Sequence, residues 1–291
     1  MSQVNDGQPI TGLRHYSNNK LEYYGKDHVQ YRNRYASQGN KWYYFGSNGD
    51  AVTGLRHYGN NKLEYYGKDH VQYRNRYASQ GNKWYYFGSN GDAVTGLRHY
   101  GNNKLEYYGK DHVQYRNRYA SQGNKWYYFG SNGDAVTGLR HYGNNKLEYY
   151  GKDHVQYRNR YASQENKWYY FGSNGDAVTG LRHYGNNKLE YYGKDHVQYR
   201  NRYASQGNKW YYFGSNGDAV TGLRHYGNNK LEYYGKDHVQ YRNRYASQEN
   251  KWYYFGSNGD AVTGLRHYGN NKLEYYGKDH VQYRNRYASQ G

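Results

Sequence analysis

The segment YYGKDHVQYRNRYA, which begins at Tyr23, carries imidazole, amide and guanidinium groups at every second position: His28, Gln30, Arg32 and Arg34. Read as a strand, it sends these four side chains one way and Val29, Tyr31, Asn33 and Tyr35 the other, because strand side chains alternate. Such a face suits a ligand rich in hydroxyls. Gln offers two donors and an acceptor, and Arg offers a fork of donors. A neighbouring tyrosine ring covers the C–H face of a sugar. The same letters return every 42 residues to the end of the 291-residue chain.

The other polar residues point to no reaction. Glu22, Asp27, Asp50, Ser37 and His15 recur in every unit, whereas a catalytic constellation needs one unusual and uniquely placed set of groups. No catalytic residue and no cofactor is expected. His15 and His28 stand without a third soft ligand, so no metal site is expected either. The chain has no cysteine, which excludes a disulfide framework and thiolate metal ligation.

The elements that must position this face are set by the repeat. Six full units run 11–52, 53–94, 95–136, 137–178, 179–220 and 221–262, and a partial seventh covers 263–291. Aligned positions differ only where Ser17, Glu165 and Glu249 replace a glycine. Each unit has six Lys or Arg against three Asp or Glu, apart from the two added glutamates, and the chain carries +18. Low hydropathy with high charge suggests disorder, but 47 tyrosines and a single proline argue for folded structure. Two Leu, two Val and two Ala per unit cannot fill an ordinary core, so the rings of Tyr24, Trp42, Tyr44 and Phe45 must do most of the burying.

Each unit reads as two related halves, each with an aromatic strand, a Gly-containing turn and a second strand. WYYF, GSNG and DAVTGLRHY are expected to form one hairpin, and LEYY, GKD and HVQYRNRYA the other, with GNNK and SQGN as connecting turns. No stretch sustains a 3.6-residue apolar period, so helix is disfavoured. A lone hairpin cannot bury its faces; stacked hairpins can. The expected fold is all-β, a continuous solenoid with about two hairpins per unit.

At KWYYFGSNGDAVTG the chain resembles the aromatic- and glycine-rich repeats of bacterial cell-wall-binding and glucan-binding domains, found beside glucansucrases and in surface adhesins and related to choline-binding modules. Tyr44, Phe45, Gly49, Val52 and Gly54 fit the pattern of that family without gaps. The resemblance covers essentially the whole chain. It implies non-catalytic, multivalent binding of a neutral α-glucan, dextran-like, outside the cell or at a bacterial surface. Pocket hairpins of the glucan-binding branch hold sugar with an aromatic ring, a Gln and a Lys. Tyr23, Gln30 and Arg32 occupy those places here, with a planar fork in place of a point charge. The period carries the set to Tyr65, Gln72 and Arg74, to Tyr107, Gln114 and Arg116, and to Tyr149, Gln156 and Arg158. It continues to Tyr191, Gln198 and Arg200, to Tyr233, Gln240 and Arg242, and to Tyr275, Gln282 and Arg284. His28 and its copies His70, His112, His154, His196, His238 and His280 are expected at the rim of each pocket or in its turn.

Other readings stand beside this one. A basic surface interleaved with tyrosines suits a polyanion, either nucleic acid or an anionic wall polymer such as teichoic acid. A choline site would cage a quaternary ammonium in rings, which arginines at the pocket positions oppose. A plain spacer in a long adhesin would bind no glycan. Arg32 and Arg34 would then be a solvated face, or pair with Glu22 and Asp27. Residues 1–10 are expected to be the partial end of a unit, since 6–10 match one, and the C-terminus stops inside another, so the chain is expected to be a monomeric piece of a longer array. MSQVNDGQPI shows no basic segment followed by an apolar run, and no 18 consecutive apolar residues occur, so no membrane-spanning helix is expected.

Overall fold

The computed structural model describes residues 4–5 and 8–289; residues 1–3, 6 and 7 of the expected partial repeat and 290–291 of the expected seventh unit lie outside them. Every sheet among the described residues has two strands, and no helix is present among them. The chain forms two compact bodies, one of Met1–Gly138 with Tyr150–Gln156, the other of Leu139–Tyr149 with Tyr157–Gly291. In both, the all-β architecture is as the repeat implied, with hairpins stacked along the chain.

The hairpins are shifted by one strand from the expected pairing. Gly54–Tyr58 pairs antiparallel with Lys62–Tyr66, and Arg76–Gln80 with Lys83–Phe87. The tight turns are therefore GNN and GN, which sequence reading took for connectors. The GSNG and GKD turns close only single bridges, Phe45 with Ala51 and Tyr24 with Gln30. Cross-strand chemistry explains the choice. The observed register sets Arg56 opposite Glu64 and Tyr77 opposite Tyr86, with those two rings 4.8 Å apart. Opposite-charge and ring pairs of this kind each contribute roughly 0.2–1 kcal/mol. The expected alternation along HVQYRN is interrupted at its two ends. His70 and Asn75 take φ of 70° and 53°, which no regular strand does.

Aromatic rings supply the core, as the composition required. In the first body, Leu63, Ala78, Tyr85, Phe87 and Ala93 form one cluster, with Leu55, Tyr65, Tyr73 and Val113 packed against it. Val113 comes from the following unit, so each cluster is closed by its neighbour. Leu189, Ala204, Tyr211, Phe213 and Ala219, with Val239, repeat the arrangement in the second body. Phe87 and Tyr66 are fully buried. Backbone bonds tie hairpin to hairpin: Gln72 N–H donates to Trp42 O at 2.8 Å and Ala93 N–H to Leu63 O at 2.9 Å.

The GN turn needs two residues in left-handed conformation, and Gly81 and Asn82 have φ of 61° and 64°. Glu165 holds the same place at φ 53° and Glu249 at 52°, where a side chain costs roughly 1–2 kcal/mol. Both are exposed, and nothing lies within 4 Å of where a Cβ at Gly81 would sit. Glu165→Gly and Glu249→Gly are each expected to stabilise the protein by about 1 kcal/mol, after allowing for glycine's greater freedom when unfolded. Urea unfolding of the single variants measures it.

Candidate functional site

Glu64 and Tyr66 share one face of their strand, and Leu63 and Tyr65 the other. The second pair joins the apolar cluster. The first faces inward towards polar partners. Glu64 is 2% exposed, and a carboxylate so buried requires donors. Its Oε1 accepts from Arg56 Nη1 at 2.7 Å and from the Tyr66 hydroxyl at 3.0 Å. Its Oε2 accepts from the Tyr35 hydroxyl at 2.8 Å and from Gln72 Nε2 at 2.9 Å. Gln72 Oε1 in turn accepts from Arg74 Nε at 2.6 Å. Arg74 then reaches Ser89 O at 3.3 Å and lies over the Trp42 ring, 5.0 Å from its centroid.

This chain of partners opens onto solvent as a notch. One unit along, the notch holds about 280 Å³ between Tyr77, Trp84, Tyr100, Glu106, Gln114, Arg116 and Asn132. The Tyr100 hydroxyl bonds Asp134, and Asn132 Nδ2 donates to the same carboxylate at 3.1 Å. The second body repeats the core of this arrangement, with Arg200 Nε bonding Gln198 Oε1 at 2.6 Å and its guanidinium 4.9 Å from the Trp168 ring. Rings, amides and a guanidinium thus meet at one concave place, the mixture a polyhydroxy ligand requires.

Of the residues singled out from sequence, Gln72 and Arg74 meet in the notch, and so do Gln114 and Arg116. Tyr65 does not join them. It lies on the opposite face of its strand, with its centroid 4.6 Å from that of Tyr73 and 6.1 Å from that of Phe87. His70 is a turn residue and not a rim residue. It is buried, and its Nε2 lies 3.0 Å from Asn19 O in the preceding unit. Gln72 is itself buried, with its amide engaged on both sides. Sequence reading assigned Trp42, Tyr44 and their copies to the core, yet they are only half-buried. The signal available was that an indole is the largest ring in a unit and is rarely buried in full.

The arginine opposite Glu64 occupies a ring box of its own. The Arg56 guanidinium lies 3.5 Å from the Tyr44 centroid, 5.1 Å from that of Tyr58 and 5.6 Å from that of Tyr35. The same box surrounds Arg98 and Arg224.

Stacked hairpins with a recurrent notch define a repeat-built binding module. Six segments, 33–51, 75–93, 117–135, 159–177, 201–219 and 243–261, match the family described as "putative cell wall binding repeat". The chain thus carries six segments similar to that cell-wall-binding repeat, one in each full unit. Each match spans the Trp hairpin and its GSNG turn; the half holding Gln72 and Arg74 falls outside. The structure is similar to that of CbpJ from Streptococcus pneumoniae TIGR4, at 21% identity and TM-score 0.56 over 86% of this chain and 100% of that one. It is also similar to choline binding protein F from Streptococcus pneumoniae, solved in the presence of a peptidoglycan analogue. There the identity is 22% and the TM-score 0.53, over 87% of this chain and 100% of that one. Likeness at these identities establishes the fold. A search of curated proteins found no match.

Two outcomes test the network. Gly91 has φ 89°, and a Cβ there would lie 2.4 Å from Gln72 Cδ. Gly91→Ala should cost about 2–4 kcal/mol, from backbone conformation and overpacking together. Adding Gln72→Ala should recover the steric part, which a double-mutant cycle by urea unfolding reads. Burial first, and then the bond to Glu64, push the Tyr35 hydroxyl up to about 12; Tyr77 and Tyr203 are also raised to about 12. An unfolded tyrosine ionises near 10, so between about pH 10 and 12 the folded state keeps protons the unfolded state has lost. The contribution is complete below pH 10 and disappears as pH rises to 12. Urea midpoints across that range, with phenolate absorbance, check it.

Proposed function

We propose that the array binds a neutral bacterial α-glucan of the dextran type, without catalysis, and attaches its bearer to that polymer at the bacterial surface. The notch of Trp84, Tyr77 and Tyr100 with Arg116 and Asn132 carries this reading. Rings flank the sugar's C–H faces, and the arginine, held by the buried Gln114, donates to hydroxyls. A single shallow site of this kind holds its ligand at roughly millimolar Kd. Several on one polymer raise apparent affinity by about 10²–10⁴. The boxes around Arg56, Arg98 and Arg224 argue against a quaternary ammonium as ligand there, because each already contains a guanidinium paired with a buried glutamate.

Replacing all six tryptophans by alanine should abolish retention on immobilised dextran while far-UV circular dichroism stays unchanged. Replacing them one at a time should weaken it more than proportionally. Retention by the parent chain should hardly change between low and high salt. Retention untouched in the six-fold variant would overturn the proposal.

A further inference from the structure

Each unit has three arginines, and two are engaged within the protein. Arg56 is paired with Glu64 at 2.7 Å, and Arg74 bonds Gln72 and Ser89. The third is not. Arg76 is exposed and stacks on Tyr73 with its guanidinium carbon 3.7 Å from the ring centroid. It has no hydrogen bond or ion pair with any described residue. Arg34 lies 3.6 Å from the Tyr31 centroid, Arg118 3.7 Å from that of Tyr115, Arg202 3.7 Å from that of Tyr199 and Arg244 3.6 Å from that of Tyr241.

The carboxylates common to every unit are used elsewhere. Glu64 accepts four donors, Asp69 accepts Val71 N–H at 3.0 Å, and Asp92 is bonded by Tyr58 and Asn90. The free fork therefore meets no internal anion. Its ring fixes the guanidinium plane in advance, which lowers the ordering cost of a bidentate contact.

We infer that these stacked arginines form a second, ionic class of site, repeated along the array, that grips oxyanions carried at intervals on a glycan, phosphate or carboxylate. The site is separate from the tryptophan notch and does not depend on the dextran reading. Nucleic acid is disfavoured because tyrosine faces beside these arginines that would stack bases are covered: Tyr73 by Arg76 and Tyr44 by Arg56.

The test is the full chain with lysine at all seven positions of the Arg34 series, which keeps every charge and removes every fork. A second variant changes Lys41 and its copies to glutamine, which removes charge and leaves the forks. Probes are phosphorylated dextran, carboxymethyl dextran, plain dextran and oligo-dT, with circular dichroism confirming the fold. The parent should bind at least one anionic dextran more tightly than plain dextran. The arginine-to-lysine variant should lose about tenfold or more on it, the 1.4 kcal/mol scale of one good contact, and the lysine-to-glutamine variant less. Loss on the phosphorylated polymer alone names phosphate, loss on the carboxymethyl polymer alone names carboxylate, and loss on both names the shared oxyanion. Plain dextran binding should not change. The inference fails if the arginine-to-lysine variant binds like the parent, if no anionic dextran exceeds plain dextran, or if only oligo-dT binding falls.

Discussion

A carboxylate out of reach of water is the constraint around which each unit is built. Glu64 sits on a strand whose other inward residue is a fully buried tyrosine, and it is satisfied only because donors converge from four places. Arg56 comes from the paired strand, Tyr66 from its own strand, Tyr35 from the preceding unit's second hairpin, and Gln72 from the segment that follows. Removing any one would strand charge or polar atoms in the interior, a loss of several kcal/mol where the partner is an ion. The bonding that satisfies Glu64 therefore fixes the relation between successive hairpins. It also fixes the notch, since Gln72 can hold Arg74 over Trp42 only while its own amide is held by Glu64.

Backbone follows from this network as much as it supports it. The Gln72 side chain lies where a Cβ at residue 91 would be, so the GSNG turn must end in glycine for two reasons, its positive φ and this close approach. The apolar side of the same strand does separate work. Leu63 and Tyr65 pack with Phe87 and Tyr85 and are covered by Val113 of the next unit. Polar network and aromatic cluster lie on opposite faces of one strand. Because both draw a member from a neighbouring unit, stability accumulates along the stack by nearest-neighbour terms.

The period, the all-β character and the aromatic core were legible because they rest on composition and repetition. Which strands pair was not. GNN, GN, GSNG and GKD all contain residues that tolerate positive φ, so turn chemistry alone left both pairings open. The decision lies in contacts across the strands, Arg56 with Glu64 and Tyr77 with Tyr86, that no local pattern reveals. The site was half legible for a related reason. Gln72 and Arg74 are two residues apart and meet in either reading. Tyr65 was assigned to the same pocket by alignment with a family pattern, and the alternation of its own strand turns it away.

The many tyrosines and the strong positive charge are parts of one design. Guanidinium groups lie on tyrosine or tryptophan faces at all three arginine positions of a unit, where a cation–π contact is worth roughly 0.5–2 kcal/mol depending on desolvation. What differs is the second partner. A buried carboxylate makes Arg56 a structural strut, an amide makes Arg74 a positioned donor at the notch, and solvent leaves Arg76 a free fork. Arginine on an aromatic ring, placed at three depths, thus supplies a structural strut, a positioned donor at the notch and exposed charge. This is how 42 residues with few aliphatic side chains can hold themselves together and still leave polar groups at the surface.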